Sequence, residues 1–174
     1  IDNKNDNLLK KKPYDENFLK EVGLVVGCCI LIDTNQVDVN NMFDENIFLY
    51  FEEVDLCRRV NENGGKVYNS SILKVKHLGH QGSAATDPNY SIETEMFRSW
   101  HWMWSSFYYH KKHNSYFYVI FLMIGKFFKS FLKTIFFSII YNKKKQTMYF
   151  ARCYGLLFAF LGKKSTYRVK SLFK

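Results

Sequence analysis

The sequence predicts an α/β region followed by amphipathic helices, and three observations support this order. Residues 22–32 form a continuous apolar run rich in β-branched side chains, which is typical of a buried strand. Residues 47–61 have the apolar spacing of a helix, and short β-like segments follow at 66–68 and 72–77. After Ser91 the chain becomes aromatic and helical. We therefore expect a strand, a helix and further short strands, then a helical C-terminal part.

Polar residues and glycines mark the limits of these predicted elements. Residues 1–20 are rich in Asn and Lys and predict a loop. Gly23 and Gly27, inside the predicted strand, indicate a bend or a close approach of the backbone. The Asn-Gly-Gly run at 63–65 ends the helix, because glycine commonly follows a helix C-cap. Residues 79–89 (GHQGSAATDPN) predict a flexible loop.

Charge is divided unevenly along the chain, although the whole sequence has a formal net charge of +9. All 16 Asp and Glu residues lie between Asp2 and Glu95, whereas residues 96–174 hold 15 of the 25 Lys and Arg residues. Most aromatic residues also fall in this second part. An even basic coat for nucleic acid would not be divided in this way. We therefore expect two regions, residues 1–95 and residues 96–174, in different surroundings.

The four cysteines indicate the compartment. They include no Cys-x-x-Cys pair, which argues against a cysteine zinc site or a thioredoxin-like motif. So few cysteines also do not make a disulfide framework, and a reducing compartment is the better interpretation.

Residues 115–141 predict one long amphipathic helix with a wide apolar face. On a helical wheel Lys126, Lys129 and Lys133 share one side with Ser130 and Thr134. The opposite side carries large apolar residues: Phe117, Phe121, Ile124, Phe128, Phe131, Leu132, Ile135 and Ile139. About 20 residues suffice to cross a bilayer, but each lysine near the middle would cost roughly 2.5–3.5 kcal/mol.

Three placements of this helix remain open: in the plane of a membrane interface, packed on its own domain, or spanning the bilayer. The interfacial placement satisfies both faces. Lys143, Lys144 and Lys145 would add attraction to anionic lipid. The expected partner of residues 96–174 is therefore an anionic membrane surface, bound peripherally.

Three carboxylates cluster at the predicted helix start: Glu52, Glu53 and Asp55, behind the aromatic segment 48–51 (FLYF). Adjacent Glu52 and Glu53 point about 100° apart on a helix, so only one or two of these acids can face a given cleft. A partly buried acid at a helix start can act as a general base. Spacing alone also fits a simpler role, because acidic first turns commonly complement the helix dipole.

His77 closes the second β-like segment just before the glycine loop. A histidine in this position is a plausible metal ligand or phosphate contact, although a single solvated histidine makes no site. His77 and His80 could both bind zinc at i, i+3 spacing, but no third ligand is evident. His110 and His113 share that spacing in a basic aromatic segment, where a structural role is the simpler interpretation.

Taken together, four segments resemble the C-terminal half of family 2 glycosyltransferases, closest to the rhamnosyltransferase-like branch. They are residues 27–32 (GCCILI), 43–45 (FDE), 48–59 (FLYFEEVDLCRR) and 75–79 (VKHLG). Their order and spacing match over about 60 residues. The resemblance implies a GT-A, Rossmann-like α/β catalytic domain whose acceptor and base half is residues 1–95. It also implies that the nucleotide-binding half, with its Asp-x-Asp carboxylates, is missing from this chain, which we expect to be a fragment.

The resemblance also implies roles for individual residues. Glu53 matches the family's catalytic base, and it is one methylene longer than the usual Asp. Glu52 and Asp55 would belong to the substrate-binding site, where Glu52 would bind or orient the acceptor sugar and Asp55 would support the same helix. His77 would coordinate a divalent metal, Mg²⁺ or Mn²⁺. The implied reaction is inverting transfer of a sugar, such as rhamnose, from a nucleotide-sugar to a glycan or lipid-linked acceptor of cell-surface polysaccharide synthesis. The fragment alone would be inactive.

The expected location is the cytoplasmic face of the cell membrane. The alternative function is a non-catalytic membrane-surface anchor, for which only residues 96–174 would matter. A nucleic-acid partner is not expected, because the lysines of the long helix lie opposite a strongly apolar face that lipid explains better.

Overall fold

The computed structural model describes residues 18–35, 37–76 and 88–168, and within these ranges the chain is mainly helical. A two-stranded antiparallel sheet pairs Leu19 of the first strand with Ser70 of the second. A short 3-10 helix occupies Val39–Asn41. The elements are β1 (Leu19–Glu21), α1 (Glu52–Glu62), β2 (Tyr68–Ser70), α2 (Pro88–His113), α3 (Tyr116–Ile139) and α4 (Lys143–Phe160).

The α/β prediction is wrong for this chain. A GT-A or Rossmann-like domain needs an extended, mostly parallel sheet covered by helices, whereas the described residues contain one antiparallel pair of three-residue strands. Long helices take the place of the expected layers, because the densest apolar sequence lies in α2, α3 and α4. The predicted loops at 1–20 and 79–89 lie mostly outside the described residues.

Residues 22–32 form no strand, which corrects the clearest β prediction. The side chains of Val26 and Leu31 are 72% and 94% exposed. One backbone hydrogen bond, from the Val22 N–H to the Val67 carbonyl, continues the sheet pattern beyond β1. A run of β-branched residues becomes a buried strand only between neighbouring strands, and the described residues supply none beyond the β1–β2 pair. The β-like segment predicted at 72–77 also forms no strand as far as residue 76.

The periodicity predicts that helix α1 begins at residue 47, but the helix begins at Glu52. Tyr50 and Phe51 have φ angles of 64° and 71°, which no α-helix accommodates. The end of the helix is confirmed: Asn63 is the C-cap, and Gly64 takes the left-handed conformation that glycine adopts without steric cost.

The hydrophobic core lies between α2 and its two neighbours, α3 and α4. Trp100 and Phe107 of α2 pack with Met123 of α3 and Leu156 of α4, each at most 1% exposed. Gly155 lets α4 approach closely, because a Cβ there would lie 2.4 Å from the Trp100 carbonyl oxygen. The bundle is therefore an aromatic scaffold with α2 at its centre.

The long amphipathic helix predicted at 115–141 is confirmed as α3. Its buried positions are Val119, Met123 and Ser130, so a strip between the lysines and the apolar face packs on the bundle. The predicted apolar face is outside, with Phe117 and Phe121 83% and 79% exposed. No helix in the described ranges combines the length and the hydrophobicity that a membrane crossing requires.

Candidate functional site

The candidate site is the first turn of α1, which follows two residues in a strained conformation. Tyr50 and Phe51 occupy left-handed φ angles that cost about 1–3 kcal/mol each in side chains of this size. Packing on α2 compensates: both rings contact Trp102, at centroid distances of 5.3 and 5.4 Å. Ser105 of α2 also donates a 2.7 Å hydrogen bond from its hydroxyl to the Leu49 carbonyl. Tertiary contacts therefore fix the direction in which the acidic turn points.

Asp55 is completely buried and fully engaged. Its Oδ2 accepts hydrogen bonds from Arg59 Nε at 2.9 Å and Lys112 Nζ at 2.8 Å, and its Oδ1 pairs with His113 Nε2 at 2.9 Å. Burial alone would raise the pKa of the Asp55 carboxyl, but the hydrogen bonds from Lys112, His113 and Arg59 hold it below its usual value. Asp55 thus fastens α1 to the C-terminal end of α2.

A second carboxylate, Asp44, shares Lys112 with Asp55. Lys112 Nζ donates to Asp44 Oδ2 at 2.8 Å, and the Tyr108 hydroxyl donates to the same oxygen at 3.2 Å. Burial opposes ionisation of Asp44, yet the hydrogen bonds from Lys112 and Asn46 lower its pKa to about 2. Arg59 extends the network by donating to the carbonyls of the loop before α1. We call Asp44, Asp55, Arg59, Lys112 and His113 the ionic clamp.

Glu52 and Glu53 differ from Asp55, because their carboxylates are not neutralised. The Oε2 atom of each is buried and has no hydrogen-bond partner within the part of the chain that the structure describes. Burial raises the pKa of the Glu52 carboxyl, against a hydrogen bond from its own backbone, and the Glu53 charge raises it further. The Glu53 side chain lies against the backbone at Gly27, since its carbons are 3.5–3.6 Å from the position of a Cβ there. The close backbone approach predicted at Gly27 is therefore present.

A shallow cleft of about 290 Å³ opens beside this turn. Tyr50 lines this cleft and lies two residues before the acidic turn. Burial raises the pKa of its phenol, the charge of Arg98 opposes this rise, and the charges of Glu95 and Glu52 add to it. The Arg152 Nε is buried without a hydrogen-bond partner among the described residues. The lining combines two aromatic rings with polar and charged groups: Tyr50, Glu95, Arg98, Ser99, Trp102 and Arg152.

His101 is a buried polar residue of α2 one turn before Ser105, and its ring lies 5.2 Å from that of Phe48. Its Nε2 donates to the Tyr167 carbonyl at 3.0 Å, which leaves Nδ1 to accept from the Ser165 hydroxyl at 3.1 Å. Burial lowers the pKa of His101 to about 4, despite the hydrogen bond to Tyr167. It is therefore a neutral structural group that holds the segment after α4.

The described residues do not fit the divalent metal that the resemblance implies. They contain no group of three or more His, Cys, Asp or Glu side chains that could hold an ion. Asp55 is unsuitable because three basic side chains already surround it. The predicted ligand His77 lies outside the described residues, so its role stays a prediction.

Sequence reasoning did not connect two of the five clamp residues, Lys112 and His113, with Asp55. Asp55 and the motif residues were found, but Lys112 and His113 lie 57 and 58 positions further along the chain. The concentration of Lys and His at the end of α2 was the available signal. Comparisons with protein-family models, with curated proteins and with solved structures give no match.

Proposed function

We propose that this chain carries the acceptor and base segment of an inverting sugar transferase, with Glu53 as the general base. The observation that supports this proposal is the contrast within one helical turn. Asp55 is neutralised by Arg59, Lys112 and His113, whereas Glu53 keeps a buried carboxylate oxygen without a partner in the described ranges. A desolvated, unpaired carboxylate on a rigid element suits proton abstraction.

In the proposed reaction Glu53 accepts the proton of an acceptor hydroxyl. The hydroxyl oxygen then forms a bond to the anomeric carbon of a nucleotide-activated sugar. The bond between that carbon and the diphosphate oxygen breaks, the diphosphate leaves with the electron pair, and the anomeric configuration inverts. No residue of this chain is assigned to binding of the donor, and no step is routed through a metal.

The cleft lined by Tyr50 and Trp102 suits the acceptor sugar. Aromatic rings offer flat apolar faces to a sugar ring, and the guanidinium groups of Arg98 and Arg152 can donate hydrogen bonds to its hydroxyls. Glu52 lies near enough for its charge to act on the Tyr50 phenol. We assign Glu52 to orientation of the acceptor, as the resemblance implies.

The test is donor-dependent sugar transfer by the gene product that contains this chain, with nucleotide-sugars including dTDP-rhamnose as donors. Glu53→Gln removes the base and should lower kcat by about 10²–10⁴-fold. Glu62→Gln is the matched control, because Glu62 is an exposed carboxylate on the same helix, and its kcat should stay unchanged. Turnover of Glu53→Gln at the wild-type rate would remove Glu53 from this role. Absence of transfer with every donor in the wild-type protein would refute the function.

A further inference from the structure

The outer face of α3 carries a stripe of large apolar side chains that are exposed in the described part of the chain. Successive members are three to seven residues apart, so they project within about 60° of one another along roughly 33 Å of helix. Their exposed fractions run from 45% at Ile135 to 83% at Phe117. The stripe consists of Phe117, Phe121, Phe128, Leu132, Ile135 and Ile139.

This stripe is not a packing surface that the described fold has used. The buried side of α3 is formed by Val119, Met123 and Ser130. A continuous apolar surface of this extent is larger than soluble monomers usually expose, and such surfaces mark contact with a partner or a membrane.

Charge identifies the kind of partner. Lys143, Lys144 and Lys145 lie just beyond one end of the stripe, and residues 96–174 contain no Asp or Glu. The turn after Ile139 leads directly into Lys143, Lys144 and Lys145, all exposed, in the first turn of α4. The helix dipole is positive at that end, so three lysines there are unfavourable until an anion is present.

We propose that the outer face of α3 lies in the plane of an anionic lipid surface, with the α4 start on the phospholipid headgroups. An apolar stripe with a cluster of exposed lysines at one end is an arrangement that such surfaces bind. A second copy of this chain fits less well, because residues 96–174 offer no acidic group to pair with the lysines at the start of α4. This inference does not depend on the sugar-transfer proposal.

The test is sedimentation of the full chain with vesicles of phosphatidylcholine, with or without about one third phosphatidylglycerol. The triple variant Phe121→Gln, Phe128→Gln, Leu132→Gln should lower the partition coefficient at least about tenfold, because the removed side chains enter the lipid. A matched control removes three apolar side chains of similar exposure elsewhere, Val26→Gln, Leu31→Gln and Leu73→Gln, and should bind as the wild type does.

The lysines are tested separately. Lys143→Gln with Lys144→Gln should weaken binding to the anionic vesicles by about thirtyfold, since each lysine near such a surface adds about fivefold. The control pair Lys74→Gln and Lys76→Gln, also exposed, should leave binding unchanged.

Two results would overturn the proposal. One is equal vesicle binding by the wild type and the stripe variant, which includes the case in which neither protein binds. The other is a wild-type dimer in analytical ultracentrifugation that the stripe variant converts to a monomer, without lipid binding by either protein. That second result would assign the stripe to contact between two copies of the chain.

Discussion

The helical bundle and the acidic segment before it are held by different combinations of forces. In the bundle, α2 packs on α3 and α4 through buried aromatic and aliphatic side chains. Residues 43–62 rest on the outside of α2 and add polar contacts to apolar ones. The ionic clamp and a hydrogen bond from Ser105 attach them, together with ring contacts to Phe97, Trp102 and Tyr109 and the burial of Ile47, Leu56 and Cys57. The bundle therefore behaves as a scaffold, and the acidic turn is a separately attached piece whose direction the scaffold sets.

The largest effect should come from breaking the scaffold. Trp100 is 0% exposed at the centre of the core, so Trp100→Ala should lower the free energy of unfolding by about 4 kcal/mol. Trp102 is 48% exposed and contacts the acidic segment, so Trp102→Ala should cost much less. Denaturant unfolding followed by circular dichroism measures both. Equal losses for the two variants would contradict a core centred on Trp100.

The next largest effect should come from opening the ionic clamp. Asp55→Asn removes the carboxylate that joins α1 to Lys112 and His113, and it should cost about 3 kcal/mol, because basic groups are left without their partner. Hydrogen exchange should rise in α1 while the amides of α2 and α4 stay protected. The control Glu62→Gln changes an exposed ion pair and should leave the free energy of unfolding nearly unchanged. Uniform loss of protection throughout the chain would show that the segment and the bundle unfold as one unit.

The smallest of the three effects is a dependence on acid. The pKa of Asp44 falls from 3.8 to about 2 on folding. The contribution of the Asp44 carboxylate to the free energy of unfolding is therefore present above pH 3.8 and is lost as the pH drops through about 2. The wild type should exceed Asp44→Asn by about 2 kcal/mol near pH 6, and this difference should vanish near pH 2. A constant difference between the two proteins across that range would mean that the Asp44 charge does not stabilise the fold.

The same contrast explains how much could be predicted from the sequence. Periodicity located α3 within a few residues, because a long amphipathic helix carries its signal locally. It failed at residues 22–32, whose apolar composition is that of a central strand although the described residues supply no sheet for it. It also misplaced the start of α1, because the contacts of Tyr50 and Phe51 with Trp102 override the local helical preference.

The candidate site could also be predicted only in part from the sequence. The acids Glu52, Glu53 and Asp55 stand together in the sequence, so their cluster could be predicted. Their different surroundings could not, because the difference depends on Lys112 and His113, which only the packing of α1 on α2 brings to Asp55. Spacing alone treats the three carboxylates as similar. The fold separates one buried, neutralised acid from two half-buried acids, each with a buried oxygen that has no hydrogen-bond partner among the described residues.

The measurement that tests the central claim most directly compares two variants of Glu53 in donor-dependent sugar transfer by the gene product. Glu53→Asp keeps a carboxylate with a shorter reach, whereas Glu53→Gln keeps the size and removes the base. A general base predicts that Glu53→Asp retains measurable turnover and that Glu53→Gln is about 10²–10⁴-fold slower than the wild type. Faster turnover by Glu53→Gln than by Glu53→Asp would show that the shape of the side chain matters and its basicity does not, which would contradict the assignment.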